Sequence, residues 1–321
     1  MSGHGFSRVQ FPAALAAVVC LTAWSAQAFG TANLLGQNAE HEKITRLALA
    51  GQGFERKSLD ELAGKGGTFG AVGAPDNPAR GLMDNKPAHC DGGDYLAVRG
   101  YPHSDRAARA ALLACRKWMV DHVNKAVKAA GRLLDANGRV RDSQIPTVVP
   151  CAYNGSGGRA KCEVFEALGL ALHASQDFYA HSNWADVAKP GGISILNPPG
   201  LGNTAPAPFL DPGRRAGFPR GLISGCYEGI PERLHCENRI RHDVLNKDTG
   251  AINVAAGTVG RGTTKRAKGN DNFARAVRVA VSDTRRKWAY FEARVITVYG
   301  RTRGARIICA MKKDDPAKAC R

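Results

Sequence analysis

The stretch Leu172-His-Ala-Ser-Gln-Asp-Phe-Tyr-Ala-His-Ser-Asn-Trp184 decides the structure expected of this chain. It places His173, Asp177 and His181 at positions i, i+4 and i+8. Each residue of an α-helix advances by about 100°, so successive members of this set differ by only about 40° and share one helix face. The stretch therefore predicts a helix that presents three metal-ligating side chains in a row.

The spacing limits how these side chains can share metal ions. Side chains at i and i+4 lie about 6 Å apart along the helix axis and can close on one ion. His173 and His181 are about 12 Å apart along the axis, too far to ligate a single ion together. The spacing predicts at least two metal positions, with Asp177 shared between them. A solvated polar face or hydrogen-bonded core histidines would give the same pattern, and spacing alone leaves these readings open.

Four segments have the apolar spacing of helices, and Gly- and Pro-rich loops connect them. Ser104 is placed to cap the second helix and Gly138 to end it. No internal repeat is present and no linker separates two cores, so we expect one all-α domain over residues 29–321 with long loops. The predicted helices cover residues 39–49, 104–135, 160–182 and 271–299, and the main loops cover 64–80 and 189–221.

The first 28 residues have the pattern of a secretory signal peptide. Arg8 supplies a positive charge, residues 11–23 are apolar, and Ala26-Gln27-Ala28 is a small-x-small cleavage site. No apolar run reaches the roughly 18–20 residues that a transmembrane helix needs, which leaves a retained anchor as the weaker alternative. Cleavage after Ala28 predicts a secreted or periplasmic protein.

Composition narrows the class of partner. The 321 residues are 44% apolar and 23% charged, which excludes a disordered or collagen-like chain. They carry 45 Lys and Arg against 28 Asp and Glu, a formal charge of +17. Loss of residues 1–28 removes Arg8 and no acid, leaving 321 − 28 = 293 residues at +16. Such an excess favours anionic partners such as lipid head groups, nucleic acid or phosphate esters.

The cysteine count becomes even once the signal is removed. Cys20 lies within residues 1–28, so nine cysteines become eight. An even set in an exported chain predicts disulfides, although eight cysteines allow 105 pairings. Cysteine zinc ligands are the alternative, but the chain has no C-x-x-C. The simplest pairing is local: Cys90–Cys115, Cys151–Cys162, Cys226–Cys236 and Cys309–Cys320.

The motif His-x-x-x-Asp-x-x-x-His-Ser-Asn-Trp resembles the Het-C/CinY branch of the zinc-dependent phospholipase C superfamily, which also contains the single-strand-specific zinc nucleases. Three further elements are similar to that family and follow in its order from residue 29 to residue 248. They are Phe29-Gly-Thr-Ala-Asn33 followed by His41, Asp76 placed 13 residues before His89, and His242-Asp-Val-Leu-Asn246-Lys-Asp248.

The resemblance implies an all-helical fold around as many as three zinc ions. The first ion would take Asp76, His89, His173 and Asp177. The second would take the α-amino group and carbonyl of Phe29 with His41 and the shared Asp177. The third would take His181 and His242. The family has a carboxylate four residues after the late histidine, whereas this chain has Asn246, so we expect Asp248 to serve instead.

Simpler roles remain open for several of these residues. Asp76 lies in Gly-Ala-Pro-Asp-Asn-Pro, a sequence typical of turns, and would also suit a purely structural role in a turn. His41 would also suit the exposed surface of a helix. His89 would suit a loop beside a disulfide. The rivals for the role of Asp76 are Asp84, Asp91 and Asp94, and those for the role of His242 are His103 and His235.

The resemblance implies a secreted phosphodiester hydrolase of the phospholipase C kind, with Asp76 as both ligand and general base. The substrate would be a phospholipid or another anionic phosphodiester, with contact to a membrane surface. A single-strand nuclease is the first alternative, suggested by the basic runs 261–268 and 285–287. A membrane- or partner-binding protein in which metal only stabilises the fold is the second alternative.

Overall fold

The computed structural model describes residues 29–33, 37–146, 149–155, 157–214, 216–229 and 232–320. The predicted signal peptide lies outside these residues. Within them the chain forms eleven α-helices and one two-stranded hairpin. The helices are α1 (Glu40–Leu49), α2 (Arg56–Ala63), α3 (Lys86–His89), α4 (Asp105–Ala130), α5 (Ala160–His181), α6 (Glu232–His235), α7 (His242–Leu245), α8 (Lys265–Lys268), α9 (Asn272–Tyr299), α10 (Arg301–Lys312) and α11 (Pro316–Ala319).

Helix α5 runs through the middle of the molecule. Only Glu163 and Glu166 among its residues escape burial. A helix that is apolar or small on every side must be enclosed by other elements, and α5 is enclosed chiefly by α4 and α9. The long helix predicted at 160–182 is thereby confirmed. Its metal-ligand face points into the core rather than into solvent.

The helix beginning at residue 105 starts as expected but ends early. The Ser104 hydroxyl accepts a hydrogen bond of 3.2 Å from the Ala107 backbone N–H, which is the predicted N-cap. The α-helix ends at Ala130 and a 3₁₀ turn, Gly131–Leu133, follows it. Gly138 has a φ of 76° in a tight turn beyond, so it does not end the helix as predicted.

The chain is mostly helical, but the strictly all-α expectation is wrong at one place. Strand β1 (Gly250–Asn253) pairs antiparallel with β2 (Thr258–Gly262). The hairpin packs on α1 and α9 and follows directly after Asp248. The strands are only four and five residues long, too short for a clear alternating signal in the sequence.

The four predicted local disulfides are all present. The bond between Cys90 and Cys115 fastens the end of α3 to α4. The others are Cys151–Cys162, Cys226–Cys236 and Cys309–Cys320. Such a set fits an oxidising compartment. Within the described residues, no helix combines the length and the apolar composition that a membrane crossing needs.

Gly169 brings the loop before Asp76 against α5. A Cβ on Gly169 would lie 2.3 Å from the carbonyl carbon and oxygen of Ala71, so only glycine allows this approach. The next residue, Val72, accepts a hydrogen bond of 2.9 Å from Nδ1 of His173 through its carbonyl oxygen. The contact therefore holds the loop at the ligand face of α5.

We predict that Gly169→Ala destabilises the protein. Alanine favours helix by about 1 kcal/mol over glycine, but displaced backbone in a packed core costs about 1–3 kcal/mol. The net loss is measured as the free energy of unfolding in urea. Gly217→Ala is the control, because nothing lies within 4 Å of its added Cβ. A Gly169→Ala protein as stable as the wild type would contradict the close approach.

Candidate metal centre

The ligand face of α5 is completely buried and is met by residues from four other segments. His173, Asp177 and His181 each have no exposed surface. The α1 helix contributes His41, and the 3₁₀ turn Ala74–Asp76 contributes Asp76. The other two segments are α3 with the loop after it, which contribute His89 and Asp91, and the start of α7, which contributes His242.

The first group of ligand atoms converges on one oxygen of Asp177. Its Oδ2 atom is 2.8 Å from Nδ1 of His89 and 2.9 Å from Nε2 of His173. The two ring nitrogens are themselves 3.1 Å apart. Oδ1 of Asp76 lies 3.6 Å from His173 Nε2 and 3.9 Å from His89 Nδ1. The structure thus brings together the four residues expected around the first ion.

The second group uses the other oxygen of Asp177. Its Oδ1 atom is 3.1 Å from Nε2 of His41, which is also 4.0 Å from Oδ2 of Asp76. Phe29 is buried, and its ring meets the His41 ring edge-on at 5.9 Å between centroids. The backbone N–H of His41 donates to the carbonyl oxygen of Gly30 at 3.2 Å. The start of the described chain therefore lies beside the second group, where Phe29 was expected.

Hydrogen bonds at the opposite ring nitrogens fix how these histidines point. Nδ1 of His41 donates to the side-chain oxygen of Gln176 at 2.7 Å, and Nδ1 of His173 donates to Val72 O. Nε2 of His89 donates to the carbonyl oxygen of Leu82 at 3.2 Å. Each ring therefore turns its other nitrogen, the one available to a metal ion, towards Asp177. Metal-ligating histidines are usually oriented by such a bond at the second nitrogen.

The third group consists of Asp91, His181 and His242. Nδ1 of His181 faces Oδ1 of Asp91 at 3.8 Å, and the rings of His181 and His242 have centroids 3.8 Å apart. One ligand atom from each of the three residues lies within 4.8 Å of the others, which is close enough to hold one ion. The same holds for the groups His41, Asp76, His173 and His89, His173, Asp177.

Asp248 lies beside the third group but at the other side of the His181 ring. Its Oδ1 atom accepts a hydrogen bond of 2.6 Å from His181 Nε2. The Asn246 amide donates to Oδ2, and the Asp248 N–H donates back to the Asn246 oxygen at 3.0 Å. Asp248, expected as a ligand, is therefore placed to orient His181, and Asp91 is the carboxylate that lies with His181 and His242 in a group that could hold an ion.

From the sequence, Asp91 is expected only as a rival for the role of Asp76. The residue follows Cys90, whose φ of 58° turns the chain sharply after α3. Two backbone bonds then pair the next segment with residues near the end of α5: Gly92 N–H to Gly225 O at 2.8 Å, and Gly225 N–H to His181 O at 3.0 Å. The closeness of Asp91 to His89 in the sequence indicates that it lies near the metal centre. The turn at Cys90, however, places it with His181 and His242 and not with His89.

The other rivals lie elsewhere. Asp84 is exposed, and so is His235. Asp94 receives two hydrogen bonds from Arg239, at 2.6 and 3.0 Å, and one from Tyr101. His103 donates to the backbone carbonyl of Asp94 at 2.7 Å. None of these four side chains belongs to the three ligand groups found among the described residues.

The centre has buried negative charge that its protein surroundings do not balance. Asp76 and Asp177 are buried and, in the described part of the chain, form ion pairs only with histidines. Buried polar atoms are normally hydrogen-bonded. Yet Nε2 of His41, Oδ2 of Asp76, Oδ1 of Asp177 and Nδ1 of His181 have no hydrogen-bond partner there. Converging lone pairs without donors are the environment of a cation.

The pKa values of the histidines reflect the same charge imbalance. Burial lowers the pKa of His181 well below its ordinary value, and the facing His242 lowers it further. Burial also lowers the pKa of His173. At His89 burial favours the neutral ring as well, but the hydrogen bond and charge of Asp177 outweigh it and raise the pKa to about 9. Positive charge is therefore favoured at His89, beside Asp177, whereas burial favours the neutral rings of His173 and His181.

Comparison with known proteins adds no identification. No family model, no curated protein and no solved structure matches the chain. The family resemblance therefore depends on the sequence motifs, and the capacity to hold metal depends on the geometry described above.

We predict that Asp91→Asn lowers the metal content by one ion per chain, because it removes the only carboxylate of the third group. Asp248→Asn should instead leave the three ligands of this group in place but lower their affinity for the metal ion by about 10–100-fold, the usual effect of losing an orienting partner. Metal content by plasma mass spectrometry and a chelator competition titration separate the two effects. The control is Asp84→Asn on the exposed Asp84. Unchanged metal content in Asp91→Asn would contradict the assignment.

Proposed function

We propose that this protein is a secreted zinc-dependent hydrolase that cleaves phosphodiester bonds of phospholipids, as the phospholipases C do. The observation that carries the proposal is the arrangement of three ligand groups along α5, two of which share His173, with Asp177 facing both His41 and His89. Adjacent metal ions are typical of enzymes that hydrolyse phosphate esters. The order and spacing of the motifs, which resemble the zinc-dependent phospholipase C superfamily, support the same conclusion.

The donor atoms favour zinc. Imidazole nitrogen with carboxylate oxygen is a common zinc ligand set, and catalytic sites keep a position open for water or substrate. All eight cysteines of the described residues are in disulfides, so none competes as a thiolate ligand. The excess of basic residues favours an anionic substrate.

The chain's own residues would prepare the site for phosphodiester hydrolysis. When bound, zinc would polarise the phosphoryl group and lower the pKa of a water molecule towards about 7. Gln176 and Val72 hold the rings of His41 and His173 in their ligating orientation. Among the described residues Oδ2 of Asp76 has no hydrogen-bond partner, so this carboxylate would be able to accept the proton of the attacking water as general base.

The basic runs that suggested the nuclease alternative are only partly buried. Lys287 is buried and pairs with Asp283 at 2.5 Å, and Arg285 donates to the carbonyl oxygen of Ala48. In the other basic run, Arg266 is buried and pairs with Asp186 at 2.8 Å. Arg266 and Lys287 thus stabilise the packing of helices. The exposed members of the two runs, which keep the nuclease as an alternative, are Arg261, Lys265, Lys268 and Arg285. Metal held for structure alone remains the competing role, and an activity assay distinguishes it.

We predict hydrolysis of phosphatidylcholine that a chelator abolishes and zinc restores. Asp177→Asn should lower kcat/KM by at least about 1000-fold, because it disrupts two ligand groups at once, with Asp84→Asn as control. Release of phosphocholine is measured beside the degradation of single-stranded DNA. Metal-loaded protein that cleaves neither substrate would support the purely structural role, and cleavage of DNA alone would establish the nuclease.

Extending the N-terminus beyond Phe29 tests whether the α-amino group of Phe29 is a metal ligand. If its α-amino group is a ligand, protein processed to begin at Phe29 should hold one more zinc ion than protein with two extra residues before it. Both proteins are verified by N-terminal sequencing before the metal is counted. Equal metal content and equal activity would show that Phe29 is not a ligand.

A further inference from the structure

A short turn in the Pro- and Gly-rich loop displays aliphatic side chains to solvent. Ser194 and Asn197 exchange two backbone hydrogen bonds, at 3.2 and 3.1 Å, which fix the turn. Ile195 points inward and packs on a small apolar cluster. Ile193 and Leu196, on either side of it, are 62% and 68% exposed. The turn is therefore anchored by one side chain while it presents two others.

The turn borders an apolar cavity of about 590 Å³. The cavity lies between this loop, the segment after Asp94 and the first half of α4. Val98, 50% exposed, lies on its rim together with Ile193. Its walls include Leu96, Leu112, Phe218, Leu222 and Ile223. Contiguous exposed apolar surface of this kind usually marks an interaction site.

The border of this surface is positively charged. Arg109 and Arg220 line the cavity, and Arg99 is exposed next to Val98. Asp105 is the one acidic residue among the lining residues described, and it pairs with Arg109 at 2.7 Å. Arg99 and Arg220 thus leave a net positive charge around exposed aliphatic side chains. This combination is complementary to a leaflet that contains anionic lipids.

The surface lies close along the chain to residues of the third ligand group. Tyr95 lines the cavity only four residues after Asp91, a distance of at most about 14 Å along the chain. Ile223, on the facing wall, is two residues from Gly225, whose N–H bonds to His181 O. The rigid backbone between cavity and metal centre would hold a docked surface at a constant distance from the ligands.

We propose that Val98, Ile193 and Leu196, with Arg99 and Arg220 beside them, dock the protein on the surface of a bilayer containing anionic phospholipid. This membrane-docking surface deepens the proposed function, on which it rests, since it brings phospholipid head groups to the metal centre. The aliphatic side chains enter the head-group region, and the arginines contact lipid phosphates. The cavity behind them receives the apolar part of a lipid.

The test is the partition of the full-length mature protein onto vesicles, measured by co-sedimentation. Two compositions are used: phosphatidylcholine alone, and phosphatidylcholine with 30% phosphatidylglycerol. Ile193→Ser/Leu196→Ser should lower the partition coefficient at least tenfold on both. Arg99→Gln/Arg220→Gln should lower it only on the anionic vesicles, and 0.5 M salt should abolish that difference.

The matched control is Val149→Ser/Val298→Ser, which alters aliphatic side chains that are 65% and 49% exposed and do not line the cavity. Val298 lies near the end of α9, where the neighbouring Tyr299 hydroxyl donates to Val127 O. Val127 is about 22 Å along α4 from Leu112 of the cavity wall. The control should bind vesicles as the wild type does.

Other outcomes would overturn the proposal. These are a wild type that does not bind either kind of vesicle, equal loss in the control variant, or a wild-type dimer that the Ile193→Ser/Leu196→Ser variant abolishes, which would assign the surface to a second copy of the chain. Circular dichroism and metal content verify that each variant is folded. Binding needs no turnover, so the result is independent of whether the protein hydrolyses phosphatidylcholine.

Discussion

The carboxylate of Asp177, enclosed in the core and facing ring nitrogens of three histidines, is the constraint on which the rest of the structure depends. One oxygen faces His89 and His173, and the other faces His41. A buried charge in this setting is costly unless a partner neutralises it. Helix α1, the Asp76 turn and α3 all end or begin where they can serve this one side chain, and a bound cation would compensate the charge.

The surroundings of the centre keep that arrangement in place. Gly169 admits the loop that carries Asp76, the Cys90–Cys115 bond holds α3 with His89 on α4, and Gln176 orients His41. At the far end of α5, Lys247 donates to Ser182 O at 2.9 Å and pairs with Asp186 at 3.0 Å. This buried lysine ties the residues after His181 to the segment carrying Asp248. Ligand positions therefore depend on packing and hydrogen bonds well outside the ligands.

Periodicity predicted the parts of this site that lie on one helix. His173, Asp177 and His181 share a face because of helix geometry alone, and the sequence needed no tertiary information to indicate it. Asp91 lies in the third group instead of beside Asp76, and Asp248 contacts the other side of the His181 ring, because loops place both residues. The left-handed turn at Cys90 and the pairing of Gly92 with Gly225 decide where Asp91 goes. The early end of α4 and the short hairpin after Asp248 escaped prediction for the same reason, since turns and four-residue strands carry little periodic signal.

The most direct test of the central claim is anomalous diffraction at the zinc absorption edge from crystals of protein that begins at Phe29. We expect one anomalous peak within bonding distance of each carboxylate oxygen of Asp177. We also expect a third peak between Asp91, His181 and His242, with Asp248 outside bonding distance. Crystals grown with zinc that show no anomalous peak bonded to Asp177 would contradict the claim.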